Sequence, residues 1–516
     1  MASHRLLSIS VCLLAAAPGV AAQEPLTIAE ATARALAKNH AIRIERESIA
    51  AADARMSGAR GEYDPQLRFD VTTRRWRDPD TSLFSGAPSG RVAASNDSVG
   101  SSLAVTQLFK SGGTATLWSS VSRAGTNNTL SLFQPAYLTS LGVDLRQPLL
   151  RNRAIDPSRA ALLVTALDRD RSGAALDRQL LETVSEVEAA YWSLVAARRD
   201  VEVRRDSIAL AEQLRADTAV RIAAGTASPS DIAQPTAELE RRRGDLFAAR
   251  EAAVRAERAL KLLMLDSAGD ALWTADVRPS DAPEIARAGV DVAAAIAEAL
   301  RSRPEIADAR AQIAQQDIGA TLARDAVRPR LDVVGGYTMR GLAGSRNPGA
   351  ASIGGLPVAM PSSLDGGSMM SWLTLSQQKF SDVAIGLSVE IPIAARAARG
   401  QLGAAQAQQR QASLTLAQAE QRVAVDVRNA ATALETAAGR IDAARAGLSA
   451  AQVQLQAEQD RFGAGLTTSF FVLTRQNDLA LAQLAEIAAL TDYRRAQTEL
   501  ARATGTLLRD RGIHLN

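Results

Sequence analysis

Few side chains in this sequence are equipped for covalent or metal chemistry. The three histidines, His4, His40 and His514, are scattered, and the one cysteine is Cys12. A metal site needs several such ligands converging, and nucleophilic catalysis needs a nucleophile beside a base. Neither pattern occurs, nor does a glycine-rich phosphate loop. No enzyme activity, metal or cofactor is expected. What remains is conformational and electrostatic, and it sits at two turns. One is Ala224-Gly225-Thr226-Ala227-Ser228-Pro229-Ser230-Asp231; the other is Gly463-Ala464-Gly465-Leu466-Thr467-Thr468, with Phe470 and Phe471 just after it. Gly225, Gly463 and Gly465 allow the left-handed backbone of a tight helix-to-helix turn. Asp231 is placed to N-cap a returning helix. Phe470 and Phe471 can pack between helices or line an apolar constriction.

The elements that present these turns are long. Ala-rich runs over about 158–224 and about 400–464 are poor in glycine and proline. A helix of roughly 65 residues is about 100 Å long. Val184, Val187, Tyr191, Leu194, Arg198 and Val201 step by three and four, as do Val427, Ala430, Leu434, Ala437, Ile441, Ala444, Leu448, Ala451 and Leu455. These are coiled-coil seams. After each turn a shorter helix returns, over about 231–265 and about 468–508; Leu239, Leu246, Ala253 and Leu260 mark the first. Arg241-Arg242-Arg243 reads as solvated helix face.

The chain is a unit used twice. Leu26 to Leu67 aligns without a gap on Val290 to Leu331, with Ile28 on Val292, Ile42 on Ile306, Asp53 on Asp317 and Pro65 on Pro329. Each copy is helical up to its proline, then changes to period two. Strand patterns return before each long helix, ending at Pro148 and Pro392. The first half adds Ser101 to Arg123 around Lys110-Ser111-Gly112-Gly113, a hairpin that either enlarges a sheet or stands apart as a flap. The second half has instead a loop from Gly341 to about Lys379. An even strand number in each half brings the chain back to its starting side.

Composition agrees with packed helices: 47% hydrophobic but only 4% aromatic. Net charge is +3, with Arg and acidic residues interleaved and no basic stripe, so no nucleic acid is expected. Residues 1–22 read as a signal peptide, with basic His4 and Arg5, an apolar run and Val20-Ala21-Ala22 before Gln23. No later stretch is apolar enough for a transmembrane helix, so a membrane location requires a β-barrel. Trp76, Trp118, Tyr337 and Trp372 lie in or beside the strand regions and could form an interfacial girdle.

This order of elements resembles the TolC family of outer-membrane factors, over nearly all of the chain after the leader. Arg461-Phe462-Gly463-Ala464-Gly465-Leu466-Thr467-Thr468 is similar to the family's tip, and Arg221-Ile222-Ala223-Ala224-Gly225-Thr226 to its first-repeat counterpart. The resemblance implies a mainly α fold with a membrane β-barrel. It also implies a homotrimer, whose strands pool into one outer-membrane barrel and whose helices form a periplasmic α-barrel. A periplasmic adaptor would dock at the tip turns (Gly225, Thr226, Gly463, Gly465), and an inner-membrane pump would supply energy for efflux or type I secretion. By the same resemblance, the family's aspartate ring falls on Phe471 and Thr474, its lock tyrosine on Phe462 and that tyrosine's arginine partner on Thr467. Asp231 is retained. The gate candidates are thus Asp231, Phe462, Thr467, Phe470, Phe471 and Thr474.

The expected organisation is a leader (1–22), a first repeat (23–264) and a linker without regular structure (265–289). A second repeat (290–508) and a tail (509–516) follow. Strands are expected over about 66–148, 330–339 and 383–393. The rival reading is a secreted coiled-coil scaffold or adhesin without a pore. It explains the heptads but not strand segments placed at matching points of both repeats.

Overall fold

The computed structural model describes residues 23–79, 86–89, 91–283, 285, 289–351 and 359–513. The leader expected over 1–22 lies outside the described residues. In chain order the elements are β1 (Gln23–Leu26), α1 (Ile28–Lys38), α2 (His40–Gly61), β2 (Gln66–Trp76), β3 (Asn96–Leu108), β4 (Thr114–Thr126), β5 (Phe133–Pro148), α3 (Pro157–Ala223), α4 (Ala233–Met264) and β6 (Asp276–Pro279). Then come α5 (Val292–Ser302), α6 (Pro304–Ala326), β7 (Arg330–Arg346), α7 (Ser368–Ser376), β8 (Phe380–Glu390), α8 (Arg396–Gly463), α9 (Ser469–Ala503) and α10 (Leu507–Asp510). The chain divides into two units. One gathers residues up to Ile49, Arg171–Arg310 and Thr415 onward; the other gathers Ala50–Asp170 and Ala311–Leu414. Among the described residues no helix is long and apolar enough to cross a membrane.

The second unit contains one antiparallel sheet in the order β2-β3-β4-β5-β7-β8. Its pleat separates two chemistries. Phe69 opposite Leu103, Leu117 opposite Val143 and Tyr337 opposite Val383 all share one face. On the edge strands that face is strongly exposed at Leu67, Phe69, Val71, Ile385, Leu387 and Val389. The alternate positions are polar: Arg68 pairs with Asp70 at 2.9 Å, and the Trp118 indole N–H donates to Asp144 at 2.6 Å. The β3–β4 hairpin lies in the plane of the sheet, laddered to β2 on one side and β5 on the other. It therefore widens the sheet to six strands, and no separate flap forms.

Four further expectations change. Trp118 and Trp76 lie on the polar face, so neither belongs to an apolar girdle; pleat parity decides this, since both fall in step with Arg68 and Asp144. Arg74 lies over the Trp76 ring at 5.0 Å. Gly142 is needed where it stands, because a Cβ there would lie 2.7 Å from the Trp118 ring. The 341–379 loop is partly regular: β7 runs on to Arg346, and Trp372 sits on α7. The linker carries β6, which pairs in parallel with β1. Four residues paired far along the chain leave no periodic signal. Each expected first helix is two helices, broken at Asn39 and Arg303, which are equivalent positions of the repeat. Pro304 opens α6, and the Asn39 amide donates to the Leu263 carbonyl at 3.0 Å.

In the helical unit the heptad positions Val184, Val187, Tyr191 and Leu194 are all buried. Val187, Tyr191 and Leu194 pack with Leu260, Met264, Leu26 and Val277 around Trp192, and Val184 packs with Ile42, Leu181 and Leu507. Glu188 lies among them at 1% exposure. Its carboxylate accepts from Arg511 Nε and Nη2, at 2.5 and 2.9 Å, and from the Thr498 hydroxyl. The C-terminal segment is thereby fastened to α3. Glu188 is buried but the Arg511 side chain is 44% exposed, so water screens the pair, and losing Arg511 costs about 1–3 kcal/mol, the cost of an under-satisfied buried acceptor. Arg511→Ala should therefore lower the thermal unfolding midpoint by several degrees, and Arg511→Lys by less; an unchanged midpoint for Arg511→Ala would remove this fastening role.

Candidate gate at the helical tips

Both long helices end in the same hydrogen-bonded turn. Thr226 N–H donates to the Arg221 carbonyl (2.9 Å) and Gly225 N–H to Ile222 (3.0 Å); Leu466 donates to Arg461 (3.0 Å) and Gly465 to Phe462 (3.1 Å). These are paired Schellman turns, which require a left-handed residue, and Gly225 (φ 73°) and Gly465 (φ 76°) supply it. Gly463 does not share that role, contrary to expectation. It is the last residue of α8 and has no positive φ. The Thr226 hydroxyl donates a second bond to the Arg221 carbonyl, at 3.0 Å.

Asp231 is not the N-cap. Ser228 takes that position, before a short 3-10 turn over Pro229–Ile232. Asp231 stands three residues on and accepts from the Ser228 N–H at 3.0 Å, closing a capping box. It is exposed. Pro at the first turn residue moves the cap back to Ser228.

The two tips are joined through a residue that the sequence reading passed over. The Arg221 guanidinium lies 4.0 Å from the centre of the Phe462 ring and donates to the Phe462 carbonyl. Gly463 O is 3.4 Å away. These carbonyls form the C-terminal end of α8, where the helix dipole favours a cation. Phe462 itself packs against Leu214, Leu455, Val472 and Leu473. Beside this contact is a cleft of about 450 Å³ lined by Leu214, Asp217, Val220, Arg221, Phe462 and Gln476. Thr467 donates to Glu458 at 2.6 Å, tying the second turn to its own helix. Thr474 bonds back to the Phe470 carbonyl at 2.9 Å. Phe470 and Phe471 form an edge-to-face pair, with centroids 5.4 Å apart, and are 52% and 50% exposed. Within one chain they are therefore not interhelix core.

Deeper in the same unit Arg242 is 3% exposed, which corrects its assignment to solvated helix face. It donates to the Ser207 carbonyl (2.7 Å), to Gln476 (3.0 Å) and to Glu238 (2.9 Å), and so ties α3, α4 and α9 together. The signal was present in the spacing. Leu239, Arg242, Leu246, Ala249 and Ala253 step by three and four and are all buried. Burial favours protonated Glu238, but hydrogen bonds and charge from Arg241 and Arg242 outweigh it and hold the carboxyl below the usual glutamate range. Among the described residues no His, Cys, Asp or Glu cluster could hold a metal ion.

Residues 295–506, most of the second repeat, match the family model described as "Outer membrane efflux protein". The second repeat is thus similar to the outer membrane efflux proteins. No curated protein gives a match. Among solved structures, a membrane protein of Pseudomonas aeruginosa is 21% identical, with a TM-score of 0.64 and 93% of each chain covered. The CmeC outer membrane channel of Campylobacter jejuni is 14% identical (TM-score 0.65; 93% of this chain, 86% of that one). The open state of the MtrE outer membrane channel of Neisseria gonorrhoeae is 18% identical (TM-score 0.61; 93% and 89%). These likenesses carry the fold.

Two outcomes follow for the helical unit. A partly exposed cation–π contact with a helix-end bond is worth about 1 kcal/mol, so Arg221→Ala should shift a closed-to-open equilibrium about fivefold per copy. Single-channel recordings should show higher mean conductance than wild type, with Arg221→Lys intermediate. Away from the tip, Glu238 should contribute to the pH response of this unit. Its folded-state pKa is depressed, so its stabilisation is present above the unfolded value of about 4.3 and is lost as pH falls through the lower folded value. Denaturant melts should show wild-type stability falling below about pH 4.3 more steeply than that of Glu238→Gln.

Proposed function

We propose that three copies of this chain close one channel, the exit duct of a tripartite efflux pump. The observation that carries this is the sheet. It has two free edges, β2 and β8, and six strands, so the edges run in opposite directions. Each edge strand has 11 residues. Copies can therefore join head to tail, β8 of one to β2 of the next, with every pairing antiparallel. Such a ring has cyclic symmetry and leaves no edge facing lipid. One six-stranded sheet is too narrow to enclose a usable lumen. Three reach the size of roughly 16–18-stranded barrels that hold an aqueous channel. The apolar face then meets lipid and the polar face lines the lumen.

In this reading the chain is passive, an inner-membrane pump supplies energy, and a periplasmic adaptor docks at the turns around Gly225, Thr226, Gly463 and Gly465. Those turns are exposed, with Leu466 among the most exposed apolar side chains. At rest Arg221 tethers the two tips, while Phe470 and Phe471 are available to narrow the lumen. Asp231 contributes one carboxylate per copy to the entrance. The purified protein should run as a detergent-resistant species of about three times the monomer mass and conduct ions in planar bilayers. Phe471→Asp should alter that conductance. A soluble elongated monomer without conductance would overturn the duct, and unaltered conductance in Phe471→Asp would remove that residue from the constriction.

A further inference from the structure

The helix α7 stands out in the strand unit. It lies on the sheet face that carries Leu117, Val143 and Tyr337. The hydroxyls of Thr139 and Ser371 are 2.6 Å apart, and Thr374 both accepts from the Leu342 N–H and donates to the Leu342 carbonyl, each at 3.0 Å. Beyond Arg340 the strand β7 has no β8 partner, so Thr374 satisfies a backbone edge that would otherwise be open. The seat is shaped for this helix: a Cβ at Gly341 would lie 1.9 Å from the Ser371 carbonyl oxygen. Ser371, Thr374 and Leu375 are buried against the sheet.

The opposite side of α7 has no partner among the described residues. Met369, Trp372 and Leu373 fall at the spacing of one helix face, and Met369 is 80% exposed. No charged residue occurs between Ser368 and Ser376. In water such a surface is unfavourable. Farther along, the same face of the sheet carries exposed Val383, Ile385 and Leu387 on β8. A helix seated by small polar side chains, with an uncharged Met–Trp–Leu face turned away from the sheet, has the composition of an interfacial membrane element.

We propose that α7 is a lipid anchor: Met369, Trp372 and Leu373 insert among the acyl chains of the outer leaflet beside the barrel wall. This rests on the barrel reading above, which makes the same face of the sheet lipid-facing. The anchor would fix the barrel's depth by a helix at its rim.

The test is spin-label accessibility in the full-length protein reconstituted in liposomes. A nitroxide is placed on Leu373→Cys or, separately, on Met369→Cys, both in a Cys12→Ser background. Labels on Ile385→Cys and Lys110→Cys serve as lipid and water references. The expected result is that the α7 labels match Ile385, accessible to oxygen and several-fold less accessible than Lys110 to a water-soluble nickel complex. Nickel accessibility equal to Lys110 would place α7 in water and overturn the anchor. Low accessibility to both reagents would mean that a neighbouring copy covers the helix, and would overturn it equally. If Ile385 itself is water-accessible, the barrel reading has failed; if only the α7 labels are, the anchor alone has failed. Two labelled positions keep the result readable should one variant not assemble.

Discussion

A strand edge cannot face hydrocarbon, because each unpaired backbone group there loses a hydrogen bond that water would otherwise supply. The sheet of this chain has two such edges and an apolar face beside each. From that constraint the other features follow. The strand number must be even, so that each group of strands returns the chain to its starting side. The two edges run in opposite directions, as the proposed joining of copies requires. The side-chain pattern must alternate, with Phe69 and Ile385 on one face and Asp70 and Ser388 on the other. Where β8 ends before β7 does, a substitute must cover the exposed backbone, and Thr374 on α7 does so.

The helices meet a different demand. Their seams consist largely of Ala, Val and Leu, which let axes approach closely but supply little polar specificity. Charged residues supply that specificity, and the buried Glu188 and Arg242 are each held by several hydrogen bonds. Glu188 takes three donors, and Arg242 bonds to three acceptors. Each would be strongly unfavourable alone and is tolerable only as part of its network.

Long periodic elements were readable from the sequence because hydrophobic spacing accumulates over many turns. The two rods, their returning helices and the duplicated order all have this property. Elements defined by few residues or by distant partners were not readable. Strand β6 is four residues long, and α7 interrupts a stretch rich in Gly and Ser. Parity within a strand was available, yet Trp76 and Trp118 were grouped by residue type; in step with Arg68 and Asp144, they belong to the polar face. At the tips the glycines that make the turns were visible. The contact between the turns was not, because Arg221 and Phe462 are 241 residues apart and neither has a local motif.

The tips also break the repeat's symmetry in a way that suits a gate. Arg221 and Arg461 occupy the same position of equivalent turns, each giving its carbonyl to the residue after the left-handed glycine. Arg221 reaches across to the other repeat and caps α8, whereas Arg461 stays with its own helix, 3.6 Å from Glu458. One cation therefore carries the bridge between the turns. A bridge worth about 1 kcal/mol holds a resting state but yields to modest binding energy elsewhere on the tip. The buried Glu188 carboxylate, held by Arg511 and Thr498 together, would not yield so readily. Strong polar contacts thus fasten the body of the helical unit, and a weak one joins the two turns, as the proposed gate requires.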